Sequence, residues 1–240
     1  MKLKMKLKMK LKMKQYEADL NKEIDYDNEY HQDKFGNWMN PEMYRLKGLV
    51  AKKNIFGYKF DKDSKVLEYG CGIGQITSWI KDKHAFDLNK KLYPFLKSKG
   101  FFCYDKFEDI PNDFDEIVLS MCLEHIENPV ELIKKLSKKL KAGGKIRLNL
   151  PGASYDYMNN MNKSNDGHYF AWGFPDINYL LNRCGFEVIY NKKIHRKGID
   201  RFAFIYRKFG FKAYYSIITL AGYLLDHNNI DIIIIGEKNK

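Results

Sequence analysis

Val66-Leu67-Glu68-Tyr69-Gly70-Cys71-Gly72-Ile73-Gly74 is the stretch that decides the reading of this chain. A short apolar run meets an acid, Glu68, and then glycine at every second position, Gly70, Gly72 and Gly74. Glycine there lets the backbone turn with positive φ and lets a ligand approach the main chain closely. A helix is expected from about Gln75 to Asp82. Strand, glycine loop and helix in that order form the architecture of a nucleotide pocket. The dinucleotide fingerprint G-x-G-x-x-G would need glycine where Gln75 stands, and the Gly-Lys-Ser/Thr of a P-loop is absent.

Working outward, Asp87 closes the next apolar run, His84 to Leu88, and lies 19 residues after Glu68. An ionised carboxylate at that distance can accept from both hydroxyls of a ribose diol. Asp105 follows a third apolar run, Phe101 to Tyr104. Phe114 to Pro129 reads F-D-E-I-V-L-S-M-C-L-E-H-I-E-N-P, and Leu140 to Pro151 reads L-K-A-G-G-K-I-R-L-N-L-P.

With the E-x-G-x-G-x-G loop, these segments resemble class I S-adenosylmethionine (SAM) methyltransferases of the small-molecule type. The order and spacings match over roughly residues 60 to 190. The resemblance implies an α/β, Rossmann-like sheet, mostly parallel with one antiparallel strand and helices on both faces. It implies SAM as cofactor, held by Glu68, Gly70, Cys71, Gly72, Gly74 and Leu88, with Asp87 at the ribose. Asp105 would lie near the adenine amino group, and Ser120 and Met121 at the end of the fourth strand. A looser likeness, His168-Tyr169-Phe170-Ala171-Trp172-Gly173-Phe174, is to methyltransferases of polysaccharide and sugar-nucleotide biosynthesis.

Methyl transfer from a sulfonium is an in-line displacement in which a neutral thioether leaves. The enzyme aligns acceptor, methyl and sulfur, and often removes one proton from the acceptor. No metal is needed for that, and the six histidines are scattered without metal-ligand spacing. Two histidines are candidate bases. His125 follows the fourth strand in L-E-H-I, with Glu124 beside it to cap or orient the loop. His168 follows the fifth strand, and a neutral imidazole there can take a hydroxyl proton. Each has a structural alternative, a loop histidine satisfied by a backbone carbonyl. Tyr169 and Trp172 form either an acceptor wall or core, and Tyr155, Asp156 and Tyr157 would line the acceptor side.

The acceptor is then a small-molecule hydroxyl, with a sugar or glycan precursor on one reading and a quinone or phenol-type metabolite on another. A SAM-binding protein without turnover is the alternative from a different class.

The formal charge of +12 comes mostly from one segment. Residues 1–14 alternate Met or Leu with seven lysines, and without these the balance is 35 basic against 30 acidic residues. No nucleic-acid partner is expected from that balance. The 1–14 tail reads as disordered low complexity, or as a segment lying on an anionic membrane surface. Its lysines interrupt every apolar core that a signal peptide would need.

Four cysteines without a C-x-x-C pair suit buried free thiols in a reducing, cytoplasmic setting. That setting makes the Asn162-Lys163-Ser164 sequon idle. No apolar run reaches membrane-spanning length.

Residues 15–240 are expected to form a single domain. Residues 15–60 would be a helical N-terminal cap, with Asn40-Pro41-Glu42 a helix start. Asn128-Pro129-Val130-Glu131 is a second start, for a helix ended by Gly143-Gly144. Residues 195–229 form an insertion between the last two strands, rich in aromatic and basic residues. It reads as a helical pair packed on the sheet edge, as a homodimer contact, or as a surface for lipid or glycan.

Overall fold

The structure is a computed structural model, and it describes residues 40–152, 167–195, 199, 201–225 and 230–239. The expectations for the 1–14 tail, for Gln15 to Phe35, for Tyr155, Asp156 and Tyr157, and for the Asn162 sequon lie outside the described residues.

Seven strands form one sheet in the order β3-β2-β1-β4-β5-β7-β6. They are β1 Lys65–Tyr69, β2 Asp82–Phe86, β3 Phe102–Cys103, β4 Phe114–Ser120, β5 Leu140–Pro151, β6 Phe186–His195 and β7 Ile230–Lys238. β3, β2, β1, β4 and β5 pair in parallel, and β7 runs antiparallel to both β5 and β6. One antiparallel strand in a mostly parallel sheet agrees with the sequence reading.

Helices cover both faces, so β4 and β7 carry continuous apolar runs rather than alternations. On one face, α3 (Pro129–Lys139) and α4 (Phe174–Arg183) bury Leu132, Ile133, Leu136, Ile177 and Leu181 against Ile117, Leu119, Ile146 and Ile234. On the other, α1 (Pro41–Asn54) buries Ala51 with Val66, Val118 and Ile233, the residues that alternate with the first set. Both predicted caps form. The Asn40 side chain accepts from the Glu42 amide at 2.9 Å, and that of Asn128 from the Glu131 amide at 3.1 Å. The short α2 (Tyr93–Ser98) stops before Gly100, whose φ of 80° is the left-handed cap conformation.

Two expectations are corrected. The segment after the glycine loop is a run of turns over residues 75–79, not a helix to Asp82. Its side chains bond its own backbone: Ser78 Oγ donates to the Gln75 carbonyl at 2.9 Å and Trp79 Nε1 to that of Ile76 at 3.1 Å. Such local bonds compete with a helical ladder, and β-branched Ile76, Thr77 and Ile80 do not favour one. The helix before Gly143-Gly144 ends early, at Lys139, because Leu140 already pairs with Phe114. The glycines lie in a register shift between that pair and Glu116↔Lys145.

The insertion is α5 (Ala203–Leu225), two helical stretches meeting at a kink at Gly210. Ile205, Tyr214 and Ile218 pack on Leu46 and Val50 of α1. Beneath α1, the fully buried Arg147 of β5 pairs with Glu116 of β4. Its guanidinium also donates to the carbonyls of Ile55 at 2.9 Å and Tyr58 at 3.0 Å and lies over the rings of Phe56 and Phe60. The chain between α1 and β1 is thereby tied to the sheet.

Candidate active site

The glycine loop leaves the carboxyl end of β1 between two neighbouring loops. Gly70, Gly72 and Gly74 all take positive φ, at 67°, 51° and 70°. A side chain is excluded at two of them by space as well. A Cβ at Gly70 would come within 2.4 Å of Cys122 Sγ, and one at Gly74 within 2.7 Å of the Phe101 ring. The Gly70 amide donates to the Phe86 carbonyl at 2.8 Å, which continues the β1–β2 pairing into the loop. Cys71 is buried beside it.

Two acids hold this loop. Glu68 is buried at the end of β1 and accepts from both the amide and the hydroxyl of Thr77 in the turn that follows the loop. Burial pushes its pKa up to about 8, against the lowering effect of the Thr77 bonds. Asp87, the first residue after β2, accepts the Gly72 amide on Oδ2 at 2.7 Å and the Asn89 amide on Oδ1 at 2.9 Å. Leu88 beside it is 77 % exposed, and Asp105 is exposed after β3.

Ser120 and Met121 lie at the carboxyl end of β4. Ser120 Oγ accepts from Asn149 Nδ2 at 2.8 Å, and the Met121 amide donates to the Asn149 carbonyl at 2.8 Å. Met121 has φ of 51°, a turn that directs the chain into Leu123–His125.

That turn carries a cluster. Glu124 is fully buried, and both its carboxylate oxygens lack a hydrogen bond of ordinary geometry. Burial raises its pKa to about 7, while the nearby amides of Glu124 and Cys122 pull the other way. The rings of His125 and His168 meet edge to face with centroids 4.6 Å apart. His125 Nδ1 lies 3.2 Å from the Gly167 carbonyl. A carbonyl only accepts, so the proton sits on Nδ1 and the basic atom of the neutral ring is Nε2. The Tyr169 amide donates to the Glu124 carbonyl at 2.8 Å, which pins the His168 loop to the β4 turn.

Among the described residues, Glu124, His125 and His168 each bring a ligand atom to within 4.8 Å of the others. One carboxylate and two imidazoles are donors that a borderline divalent ion such as zinc accepts. To hold one, the three ligand atoms would have to lie about 2.1 Å from a common ion. The sequence spacing showed no such grouping because His168 arrives from a separate loop, 43 residues after His125.

Several positioning residues also escaped the sequence reading. Thr77 orients Glu68, and Asn149 fixes the β4 turn. Tyr44 of α1 donates to the Gly74 carbonyl at 3.1 Å. The Tyr93 hydroxyl lies 3.1 Å from the Asp87 carbonyl and 2.6 Å from that of Tyr104, joining the loops after β2 and β3. Trp172 belongs to the core, stacked on Phe170 with centroids 5.0 Å apart, whereas Tyr169 is exposed. All four cysteines are free, and burial raises each thiol above its ordinary range, so none is activated.

Comparison with known proteins places this geometry. The profile of a family described as a methyltransferase domain matches residues 42–215. An uncharacterized protein of Methanocaldococcus jannaschii is 27% identical over 146 residues, covering 56% of this chain and 70% of that one. The mitochondrial ubiquinone biosynthesis O-methyltransferase of Dictyostelium discoideum is 26% identical over 168 residues, covering 52% of this chain and 51% of that one. The chain thus spans about half the length of that enzyme. Among solved structures, Haemonchus contortus phosphoethanolamine N-methyltransferase 2, in complex with phosphomonomethylethanolamine and S-adenosylhomocysteine, superposes with TM-score 0.54 at 18% identity. The likeness covers 81% of this chain and 52% of that one, and at that identity it is one of fold.

Proposed function

The chain belongs to the class I SAM-dependent methyltransferases, and from that premise we propose that it methylates a small-molecule hydroxyl beside the Glu124–His125–His168 cluster. The observation that carries this reading is the meeting of His125 and His168, from two separate loops, over the buried Glu124. That turn joins directly to the glycine loop, because Cys122 packs against Gly70.

In this reading SAM lies along the glycine loop, with the backbone of Cys71, Gly72 and Gly74 packed beside its methionine part. Asp87 takes the ribose. Each of its oxygens accepts one amide, and a carboxylate oxygen has a second lone pair for a hydroxyl. Leu88 and Asp105 flank the adenine, and Ser120 and Met121 close the far side. Glu68 acts through Thr77 on the loop's shape.

The acceptor oxygen attacks the sulfonium methyl in line, and the S–CH3 bond breaks as the O–CH3 bond forms. The thioether leaves neutral, and the acceptor proton goes to His168. His125, donating to Gly167, holds the loop that carries His168.

The ubiquinone O-methyltransferase among the relatives favours a ring hydroxyl of the quinone or phenol type. The sugar reading rests on the H-Y-F-A-W-G-F stretch alone. The test is release of S-adenosylhomocysteine from SAM with a panel of catechols, hydroquinones and nucleotide sugars. Turnover with one hydroxyl class supports the proposal. SAM binding without turnover on any of them, or turnover only on amines, sinks it.

A further inference from the structure

α5 turns one side inward and leaves another uncovered. Tyr214, Ile218 and Ala221 are buried on the side that meets Leu46 and Val50 of α1. Ile217, Leu220 and Leu224 recur at i, i+3 and i+7 along a different line of the same helix. Leu220, Tyr223, Leu224 and Leu225 are each more than half exposed, as are Phe204 and Phe209 before the kink. Large exposed side chains gathered on one element mark an interaction surface.

The charge on this element is of one sign. Arg201, Lys208 and Lys212 are exposed, as is Arg207, which also reaches Glu42 of α1 at 3.3 Å. No Asp or Glu occurs between residues 201 and 225. Apolar side chains, aromatics and cations without acids are the composition of a helix that lies in a membrane interface. Among the described residues no helix is long and apolar enough to cross a membrane.

We propose that the exposed side of α5 docks this protein on an anionic lipid surface. Ile217, Leu220 and Leu224 enter the boundary between headgroups and acyl chains, and Arg201, Lys208 and Lys212 meet the lipid phosphates. Charge argues against a second copy as the occupant. A two-fold contact sets a patch against itself, so these cations would face their own copies with no acid on α5 to answer them. The seven lysines of residues 1–14 carry the same sign and suit the same surface. β6 ends at His195 on the edge of the sheet where β1 and β4 end, and α5 follows it in the chain. Docking therefore brings that edge towards the lipid. The proposal does not depend on methyl transfer, because binding needs no donor or acceptor.

Flotation of the full chain with vesicles tests it, using phosphatidylcholine alone and phosphatidylcholine mixed with phosphatidylglycerol, without SAM. The expected result is binding to the mixed vesicles at least about tenfold tighter than to the neutral ones, weakening with salt. Leu220→Glu with Leu224→Glu should remove the binding while melting temperature and SAM affinity hold. Lys208→Gln with Lys212→Gln, an apolar-conserving control, should weaken it about tenfold or more. Failure of the wild-type chain to bind the mixed vesicles overturns the proposal. Undiminished binding by the Leu220/Leu224 variant does so as well, since the lysine-rich tail would then account for it. So does a dimer that the same variant converts to monomer without any vesicle binding.

Discussion

The amide of Gly72 donates to Oδ2 of Asp87 at 2.7 Å, so the loop after β1 is fastened to the first residue after β2. The other carboxylate oxygen takes the Asn89 amide, which sets the turn that leads on to α2. Asp87 thus shapes the loop, and its orientation is fixed in advance for the ribose contact proposed above.

Asp87→Ala is expected to raise the KM for SAM about ten- to a hundredfold, the loss of a charge-assisted hydrogen bond of ~1.5–3 kcal/mol. The kcat should change less, because ground and transition states share this contact. Steady-state kinetics over a range of SAM concentrations separates the two. A collapse of kcat with KM unchanged would assign Asp87 to the chemistry instead.

Glu68 makes stability depend on pH. Its pKa is about 8 in the folded protein against an ordinary 4.5, so the folded state keeps a proton that the unfolded chain releases. Stability should fall as pH rises from about 4.5 to about 8 and level off above, by an amount on the order of a few kcal/mol. Glu68→Gln keeps an acceptor for Thr77 and removes the titration. Its melting temperature should decline less than the wild type's across that window, and parallel curves would contradict the assignment.

The mostly parallel sheet with one antiparallel strand, the glycine loop and the capped helix starts were legible in the sequence because they depend on local signals. Glycines at 70, 72 and 74, an acid after β2, and Asn-Pro helix starts each act within a few residues. What it did not carry depends on partners far along the chain. Thr77 is held by Glu68, nine residues earlier, and α3 stops at Lys139 because Phe114 claims Leu140. The grouping of Glu124, His125 and His168 joins two loops on neighbouring strands, which no spacing rule anticipates. Arg147 reads as the polar member of an alternating strand, yet it is buried, because its partners lie near residues 55–60 and at Glu116.

Arg147→Met is expected to destabilise the fold by about 3–5 kcal/mol, since it leaves Glu116 buried without its partner and three carbonyls without a donor. Burial raises the Glu116 pKa even with Arg147 and Lys145 pulling it down, so losing Arg147 would raise it further. Adding Glu116→Leu should recover much of the loss. Urea denaturation of the single and double variants checks this, and a single variant as stable as wild type would refute it.

His168→Ala should lower kcat about a hundred- to ten-thousandfold, the usual cost of a lost general base, with SAM affinity nearly unchanged. His125→Ala should have the smaller effect. Exhaustive dialysis against a chelator should leave the rate as it was. A rate lost on chelation and restored by zinc would make the two histidines and Glu124 ligands of an ion instead of a proton acceptor and its supports.

Calorimetric titration of SAM into the wild-type chain and into Gly72→Val decides whether the glycine loop is the donor site. A β-branched residue cannot readily take φ of 51°, and its side chain would occupy the space of the cofactor's methionine part. The wild type should bind with a low-micromolar or tighter Kd, about −8 kcal/mol or better, and the variant should show no measurable binding. A wild-type chain that does not bind SAM, or a variant that binds it as well, would contradict the assignment.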